Sequence, residues 1–151
     1  MDFAAIKANI SRPRAGVKLC LRADLFAARD RLVREIAATS GDSLAGGSSE
    51  LRLKLGALED EMRAATLEFT FEAVTRATFA DIEDAHPSER EGPSTAFMAA
   101  LVATSLVEPD LTTEQVSELF ANLSDGQVQV LEDAAWGVNR ETGSVPFSAS
   151  D

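Results

Sequence analysis

Several residue types are scarce in this chain of 151 residues, which contains no tyrosine, one tryptophan, one cysteine and one histidine. A single cysteine excludes an internal disulfide and a metal site built from several cysteines. No apolar run approaches the ~20 residues that a membrane-spanning helix needs. We therefore predict a chain that folds on an ordinary hydrophobic core and works in a reducing cytoplasm, without a membrane anchor.

Catalytic signatures are also missing. The one histidine, His86, has acidic neighbours, but their spacing matches no metal motif, and Pro87 indicates a helix end. The one cysteine, Cys20, lies in an apolar alternation, which favours a small buried side chain over a reactive thiol. No glycine-rich phosphate loop or nucleophile elbow is present. The sequence predicts no enzyme activity, no catalytic residues, no cofactor and no metal.

Positive charge is nearly absent from the second half. Residues 1–80 carry 12 Lys and Arg against 11 Asp and Glu, whereas residues 81–151 carry 2 against 14, so the net charges are +1 and −12. An acidic half of this kind repels nucleic acid. The basic residues near the N-terminus lack interleaved aromatics and a nucleic-acid-binding motif. We expect no nucleic-acid partner. The basic residues form either a solvated face or a surface attracted to the acidic half, of the same chain or of another copy.

Two segments, about residues 17–22 and 67–73, alternate apolar and polar residues with the period of two that is typical of half-buried strands. We predict that they pair as a two-stranded antiparallel ribbon. Opposed residue numbers that sum to 90 place Lys18 opposite Glu72 and Arg22 opposite Glu68. The same register places four apolar side chains on the other face: Leu19, Leu21, Phe69 and Phe71.

The chain between these strands predicts a helical hairpin. Residues 25–39 and 50–65 have apolar residues at helical spacing, and the break between them is rich in glycine. Two helices joined in this way pack antiparallel. The ribbon is thus closed by a helical hairpin, and its apolar face needs cover from the rest of the chain or from another chain.

The remaining sequence predicts about four shorter helices. Thr75 or Thr78, Ser94, Thr112 and Ser124 are suitable N-caps, and the last two have glutamine at the capping-box position. The segment TAFMAALVATSLV is apolar nearly all round, so it predicts a buried helix that Pro109 ends. The fold class is mainly α with a small β component (α+β).

We expect a single domain, 1–151, in which a loop at residues 87–93 is the one plausible internal boundary. Its parts are a basic, irregular lead-in (1–16), the ribbon with the helical hairpin (17–86), an acidic helical part (94–139) and an extended tail (140–151).

Two features favour contact with another protein. Val145, Pro146 and Phe147 place two apolar side chains in a tail that cannot be helical, which either docks on a neighbouring surface or packs on its own domain. Trp136 lies near a helix end, where tryptophan serves as core or as an interface anchor. The candidate interaction residues are these four together with the ribbon face: Leu19, Leu21, Phe69 and Phe71.

Six short segments follow one another along the chain: VKLCLR (17–22), SLAGG (43–47), LTTE (111–114), LSDGQ (123–127), AAWGVNR (134–140) and VPFS (145–148). Their order resembles tail assembly chaperones encoded by actinobacterial phages and prophages. The resemblance extends from about residue 17 to 148 and concerns motifs that are not catalytic.

The resemblance implies a function in binding. Members of this family are thought to coat the apolar, helical tape-measure protein and to keep it soluble until tail-tube subunits polymerise around it. It also implies a possible homo-oligomer in the host cytoplasm, with no cofactor. Two alternatives stay open: a structural virion protein, such as a minor tail or connector component, and a small acidic regulatory or DNA-mimicking protein.

Overall fold

A computed structural model describes residues 2–39, 45–88 and 92–140, and its fold is α+β: mostly helical, with a small antiparallel sheet. The described residues form seven helices and three strands: α1 (Phe3–Ala8), β1 (Arg14–Cys20), α2 (Leu25–Thr39), α3 (Ala45–Ala64), β2 (Thr66–Glu72), α4 (Arg76–Ala85), α5 (Thr95–Ser105), β3 (Leu106–Glu108), α6 (Thr113–Asn122) and α7 (Asp125–Arg140).

Helix starts in the second half lie where the capping residues predict them. The Thr112 N–H donates to Gln115 Oε1 at 3.0 Å, and the Gln115 N–H donates to Thr112 Oγ1 at 3.1 Å, which forms the capping box of α6. Ser124 and Gln127 exchange the same pair of hydrogen bonds at the start of α7, at 2.9 and 3.3 Å. These bonds satisfy backbone donors that the first turn of a helix leaves free.

The two predicted strands pair antiparallel, as expected, but the sheet contains three strands in the order β1–β2–β3, so it is not a two-stranded ribbon. Residues 106–108 were assigned to the end of the buried helix, but they form β3, in which Leu106 pairs with Phe71 and Glu108 with Thr70, with an irregularity between the two pairs. Pro109 favours extended backbone at Glu108 alone. The pairing of Leu106 with Phe71 extends the strand back to Leu106, so α5 ends at Ser105.

The predicted register of the first two strands is also wrong. The Leu21 N–H donates to Ala65 O and the Ala73 N–H donates to Pro13 O, both at 2.9 Å. In both pairs the residue numbers sum to 86, so β1 is displaced by four residues from the predicted pairing. Because a shift of four is even, every side chain keeps its face of the sheet.

The reason for this error lies in the spacing of the charges. Basic residues occur every four positions along the first strand, at Arg14, Lys18 and Arg22, and acidic residues occur every four along the second, at Glu68 and Glu72. Opposite charges therefore face each other in both registers. Charge complementarity alone does not distinguish the two alignments.

The sequence predicts an irregular N-terminal lead-in, but part of this segment is helical. Residues Phe3–Ala8 form α1, in which the Asp2 carboxylate accepts a hydrogen bond from the Ala5 N–H at 2.9 Å. Pro13, which cannot continue a helix, lies beyond the end of α1 at Ala8. Strand β1 then begins at Arg14, three residues before the predicted start.

By its internal contacts the chain divides into two compact units. One is drawn from Met1–Val17 and Phe69–Asp151 and is called the helical unit below; the other is Lys18–Glu68 and is called the hairpin unit. The division passes through β1 and β2 and does not coincide with the loop at residues 87–93. In the helical unit α5 contacts α4, α6 and α7, and it is buried almost all round, as its apolar sequence predicts.

Candidate protein-interaction surfaces

The predicted ribbon-face residues have different environments. Phe69 and Phe71 are almost completely buried, and Leu19 is buried as well, so none of the three presents a surface to a partner. Leu21 is 44% exposed and Trp136 is 37% exposed. The remaining candidates, Val145, Pro146 and Phe147, lie outside the described residues.

The hairpin unit buries very little. Leu19 is its only buried side chain among the described residues, although α2 and α3 pack against each other along their length. The apolar seam of both helices is half-buried. Five large apolar side chains are exposed in this unit: Leu21, Phe26, Val33, Leu53 and Leu67. An antiparallel helix pair of this kind has apolar area left for a further element.

An open groove of about 350 Å³ lies at the strand end of this unit and is called the hairpin groove. Its apolar lining comes from Phe26 and Met62, together with Cys20, whose thiol donates to Met62 O at 3.6 Å. The other lining residues are mostly charged: Lys18, Arg29, Glu59, Arg63 and Thr66. Arg63 is paired with Glu59 and Asp60, and Arg29 with Asp30, so Lys18 is the lining cation without an ion-pair partner among the described residues. One such cation beside apolar side chains suits an apolar segment that carries a carboxylate.

Next to this groove, Arg22 is held by two carboxylates. Its guanidinium nitrogens lie 2.9 Å from Asp24 and 3.5 Å from Glu61. The hydrogen bond from Arg22 holds the pKa of Asp24 below its usual value. Glu68, the predicted partner of Arg22, forms no ion pair within the described residues. The predicted pairing is therefore corrected to Asp24 and Glu61.

In the helical unit Trp136 belongs to an aromatic cluster with Phe79 and Phe97. The three ring centroids are 5.9–6.3 Å apart, and the contacts to Phe97 are edge-to-face. The Arg140 guanidinium lies 5.2 Å from the Trp136 ring centroid and 6.0 Å from that of Phe79. These contacts hold one side of the indole, while more than a third of the residue stays accessible.

The accessible side of Trp136 lines a second open groove, of about 430 Å³, called the acidic groove. Its other residues are Pro93, Met98, Gln129, Glu132 and Asp133. Partial burial raises the pKa of Glu132, and the neighbouring carboxylates of Asp133 and Asp125 raise it further. The negative charge of these carboxylates is therefore not balanced by an ion pair among the described residues, and it lies beside the apolar residues of the groove.

This lack of compensation extends over the whole segment. Between residues 92 and 140 the chain has seven Asp and Glu and a single basic residue, Arg140. Within the described residues, no carboxylate of this segment lies within 4.0 Å of a cationic nitrogen. The acidic side chains are left for solvent or for a cationic partner.

Sequence reasoning missed a third apolar surface, at the N-terminus. Phe3, Ile6 and Ile10 are 76%, 48% and 69% exposed, and no residue of α1 is buried. Phe3 and Ile6 lie one turn apart on α1, and Ile10 follows the end of that helix at Ala8. The spacing of three and four is a signal that the sequence alone contains. The prediction of an irregular segment did not take this spacing into account. These three residues are called the N-terminal stripe below.

The described residues contain no group of three or more His, Cys, Asp or Glu side chains placed to hold a metal ion. His86 is the C-cap of α4, in agreement with the helix end predicted there, and its N–H donates to the carbonyls of Ile82 and Glu83. In the part of the chain that the structure describes, no helix is both long enough and apolar enough to cross a bilayer.

Comparisons of the chain with protein-family models, with curated proteins and with solved structures give no match.

Proposed function

We propose that this chain is a phage tail assembly chaperone, a non-enzymatic protein that binds the tape-measure protein and keeps it soluble in the host cytoplasm until tail-tube subunits assemble. The order of its sequence segments suggests the family. The observation that carries the proposal is the hairpin unit, whose described residues include a single buried side chain, Leu19.

The hairpin unit has the chemistry of a client-binding surface. Complete burial of a Leu or Met side chain contributes about 1.5–3 kcal/mol relative to exposure. The apolar residues of this unit realise only part of that contribution, because they are half-buried or exposed: Leu25, Leu32, Ile36, Leu51, Leu55, Leu58 and Met62 along the seam, with Phe26 and Leu53 outside it.

An apolar helix from a client completes this arrangement. A third helix laid along α2 and α3 would bury the rest of their apolar surface and form a three-helix bundle. The hairpin groove offers the first contact, since Phe26 and Met62 form its floor. Lys18, which has no ion-pair partner among the described residues, favours a client helix with a carboxylate at that end.

The acidic helical unit supports the second requirement of a chaperone, which is to keep an apolar client in solution. A complex between an apolar client and a neutral protein tends to precipitate, whereas large net charge opposes association between complexes. The net charge of −12 over residues 81–151 lies outside the hairpin unit. A client bound to the hairpin unit therefore leaves the acidic residues, which keep the complex soluble, exposed to solvent.

Co-expression with a helical fragment of the tape-measure protein from the same phage tests this function. The full chain is expected to keep the fragment in the soluble fraction and to be retained with it in a pull-down at low salt. Val33→Ser on α2 is expected to reduce retention several-fold. Val130→Ser on α7 is the matched control, because Val33 is 40% and Val130 is 37% exposed on their helices.

Two results contradict the proposal. One is the absence of binding between the chain and the fragment at low salt. The other is the presence of the chain in purified virions, because an assembly chaperone leaves the finished particle; that result favours a structural virion protein. If Val33→Ser reduces retention of the fragment no more than Val130→Ser does, the client binds a surface other than the hairpin unit.

A further inference from the structure

The N-terminal stripe is an apolar surface without a partner in the helical unit. Phe3, Ile6 and Ile10 are exposed, and Lys7 lies beside them with no ion-pair partner among the described residues. The helix is already formed, since Asp2 caps its start and the Asn9 side chain donates to Ala5 O at 2.9 Å. A preformed segment binds without the entropy cost of folding on contact.

The acidic groove is the complementary surface. Its lining includes the apolar residues Trp136, Met98 and Pro93 together with the carboxylates of Glu132 and Asp133. Neither carboxylate has a cationic partner within the described residues. A short apolar helix with one adjoining cation matches this groove in both polarity and charge.

We propose that copies of this chain associate by placing the N-terminal stripe of one copy in the acidic groove of another, with Lys7 against Glu132 and Asp133. Phe3 and Ile6 cover Trp136 and Met98 in this contact. The inference is independent of the proposed function, because it uses only residues of the helical unit and leaves the hairpin unit free for a client.

The contact joins two different patches, so it forms either reciprocally in a pair or head to tail in a longer series. Three apolar side chains make a small interface compared with the roughly 1,200–2,000 Å² that stable complexes bury. Association is therefore expected to depend on protein concentration. It is also expected to weaken at high salt, because exposed charges contribute to it.

Sedimentation equilibrium of the full chain at low salt provides the first test. The Phe3→Ser, Ile6→Ser double variant is expected to raise the concentration of half-association by about tenfold or more. Leu53→Ser is the control, since Leu53 is 75% exposed and Phe3 is 76% exposed. It removes an equally accessible apolar side chain from the hairpin unit and is expected to leave association unchanged.

A charge exchange provides a second test that does not depend on apolar residues. Lys7→Glu and Asp133→Lys are each expected to weaken association, and the two together are expected to restore it. Both side chains are exposed, so neither change removes a core contact. Failure of the combined variant to recover would overturn the pairing of Lys7 with the acidic groove.

Fluorescence reports the contact between separate copies, because Trp136 is the only tryptophan. A chain with Phe3→Ser and Ile6→Ser supplies the reporter, and an excess of Trp136→Phe chains supplies intact stripes without tryptophan emission. The emission of Trp136 is expected to shift to shorter wavelength as its exposed side is covered. Unchanged emission overturns the proposal.

Three further results also overturn it: a monomeric full chain at every concentration, weakening by Leu53→Ser but not by the stripe variant, and loss of association on removal of residues 145–151 while the stripe variant associates normally. The last result would assign the contact to the C-terminal segment predicted from the sequence.

Discussion

Asn139 on α7 joins the backbone at Val74, just after β2, to the end of α5. Its Oδ1 accepts a hydrogen bond from the Val74 N–H at 2.8 Å. Its Nδ2 donates to the Ser105 hydroxyl and to Ala135 O, both at 2.8 Å, and Ser105 is buried. A single side-chain amide thus satisfies polar groups on three parts of the helical unit.

Replacement of this amide is expected to cost stability. In Asn139→Ala the Val74 N–H and the Ser105 hydroxyl lose their partner, and an unsatisfied buried group costs about 1–3 kcal/mol. We expect the free energy of unfolding to fall by about 2–3 kcal/mol, measured by urea denaturation. Asn122→Ala is the control, since the exposed Asn122 amide donates only to Glu118 O. Equal effects of the two changes would contradict a joining role for Asn139.

The register of the first two strands predicts which charges are energetically coupled. Glu72 accepts from Arg14 at 2.7 Å and from Arg12 at 2.8 Å. A double-mutant cycle of Arg14→Ala and Glu72→Ala is expected to give a coupling of about 0.5–1 kcal/mol. The same cycle for Arg22 and Glu68 is expected to be additive. Coupling of the second pair alone would restore the register in which residue numbers sum to 90.

The raised pKa of Glu132 gives a stability change with a defined sign. Below the ordinary glutamate value of 4.5 the residue is protonated in both states and contributes no difference. As the pH rises through that value, the unfolded chain loses the proton first, so the folded state becomes relatively less stable. Glu132→Gln is therefore expected to stabilise the protein at neutral pH, with no gain at low pH.

The control for this effect makes the same change of net charge at an exposed site on α6, Glu118→Gln. Thermal unfolding of both variants at neutral and at low pH separates the local effect from the loss of one charge. A gain for Glu132→Gln that persists at low pH would contradict the electrostatic origin of the effect.

The hairpin groove contains a chemical reporter for client binding. Cys20 is the only cysteine, it is half-buried, and it lines the groove beside Met62. A bound client helix is expected to slow alkylation of the thiol by a bulky maleimide several-fold, measured by mass spectrometry. In the control variant, Val130→Ser, the client is expected to slow alkylation of Cys20 to the same extent. An unchanged rate at saturating client places the client outside this groove.

Features determined within a few residues were predictable from the sequence. The capping box of Thr112 and Gln115 requires only their spacing of three, and the burial of α5 follows from an apolar sequence without a polar face. The start of β3 was not predictable in this way. Leu106 continues the apolar pattern of α5, and only its pairing with Phe71 in β2, distant in sequence, distinguishes a strand from a further helical turn.

The candidate surfaces also differ in whether the sequence alone could predict them. Spacing alone could have identified the N-terminal stripe, and the seam of α2 and α3 was evident from the repeat of leucines. The acidic groove depends on tertiary structure, because Pro93 and Met98 lie at the start of α5 whereas Trp136 lies on α7, far along the chain. The burial of Phe69 and Phe71 likewise depends on elements far along the chain, which is why their strand face was taken for an interaction surface.

The hairpin unit enters and leaves the fold through directly opposed strand positions, since its first and last residues, Lys18 and Glu68, face each other in the observed register. An insertion whose ends meet in this way is tolerated because it closes no long open loop in the parent structure. Replacement of residues 18–68 by another segment with adjoining ends is therefore expected to leave the buried residues around α5 unaltered.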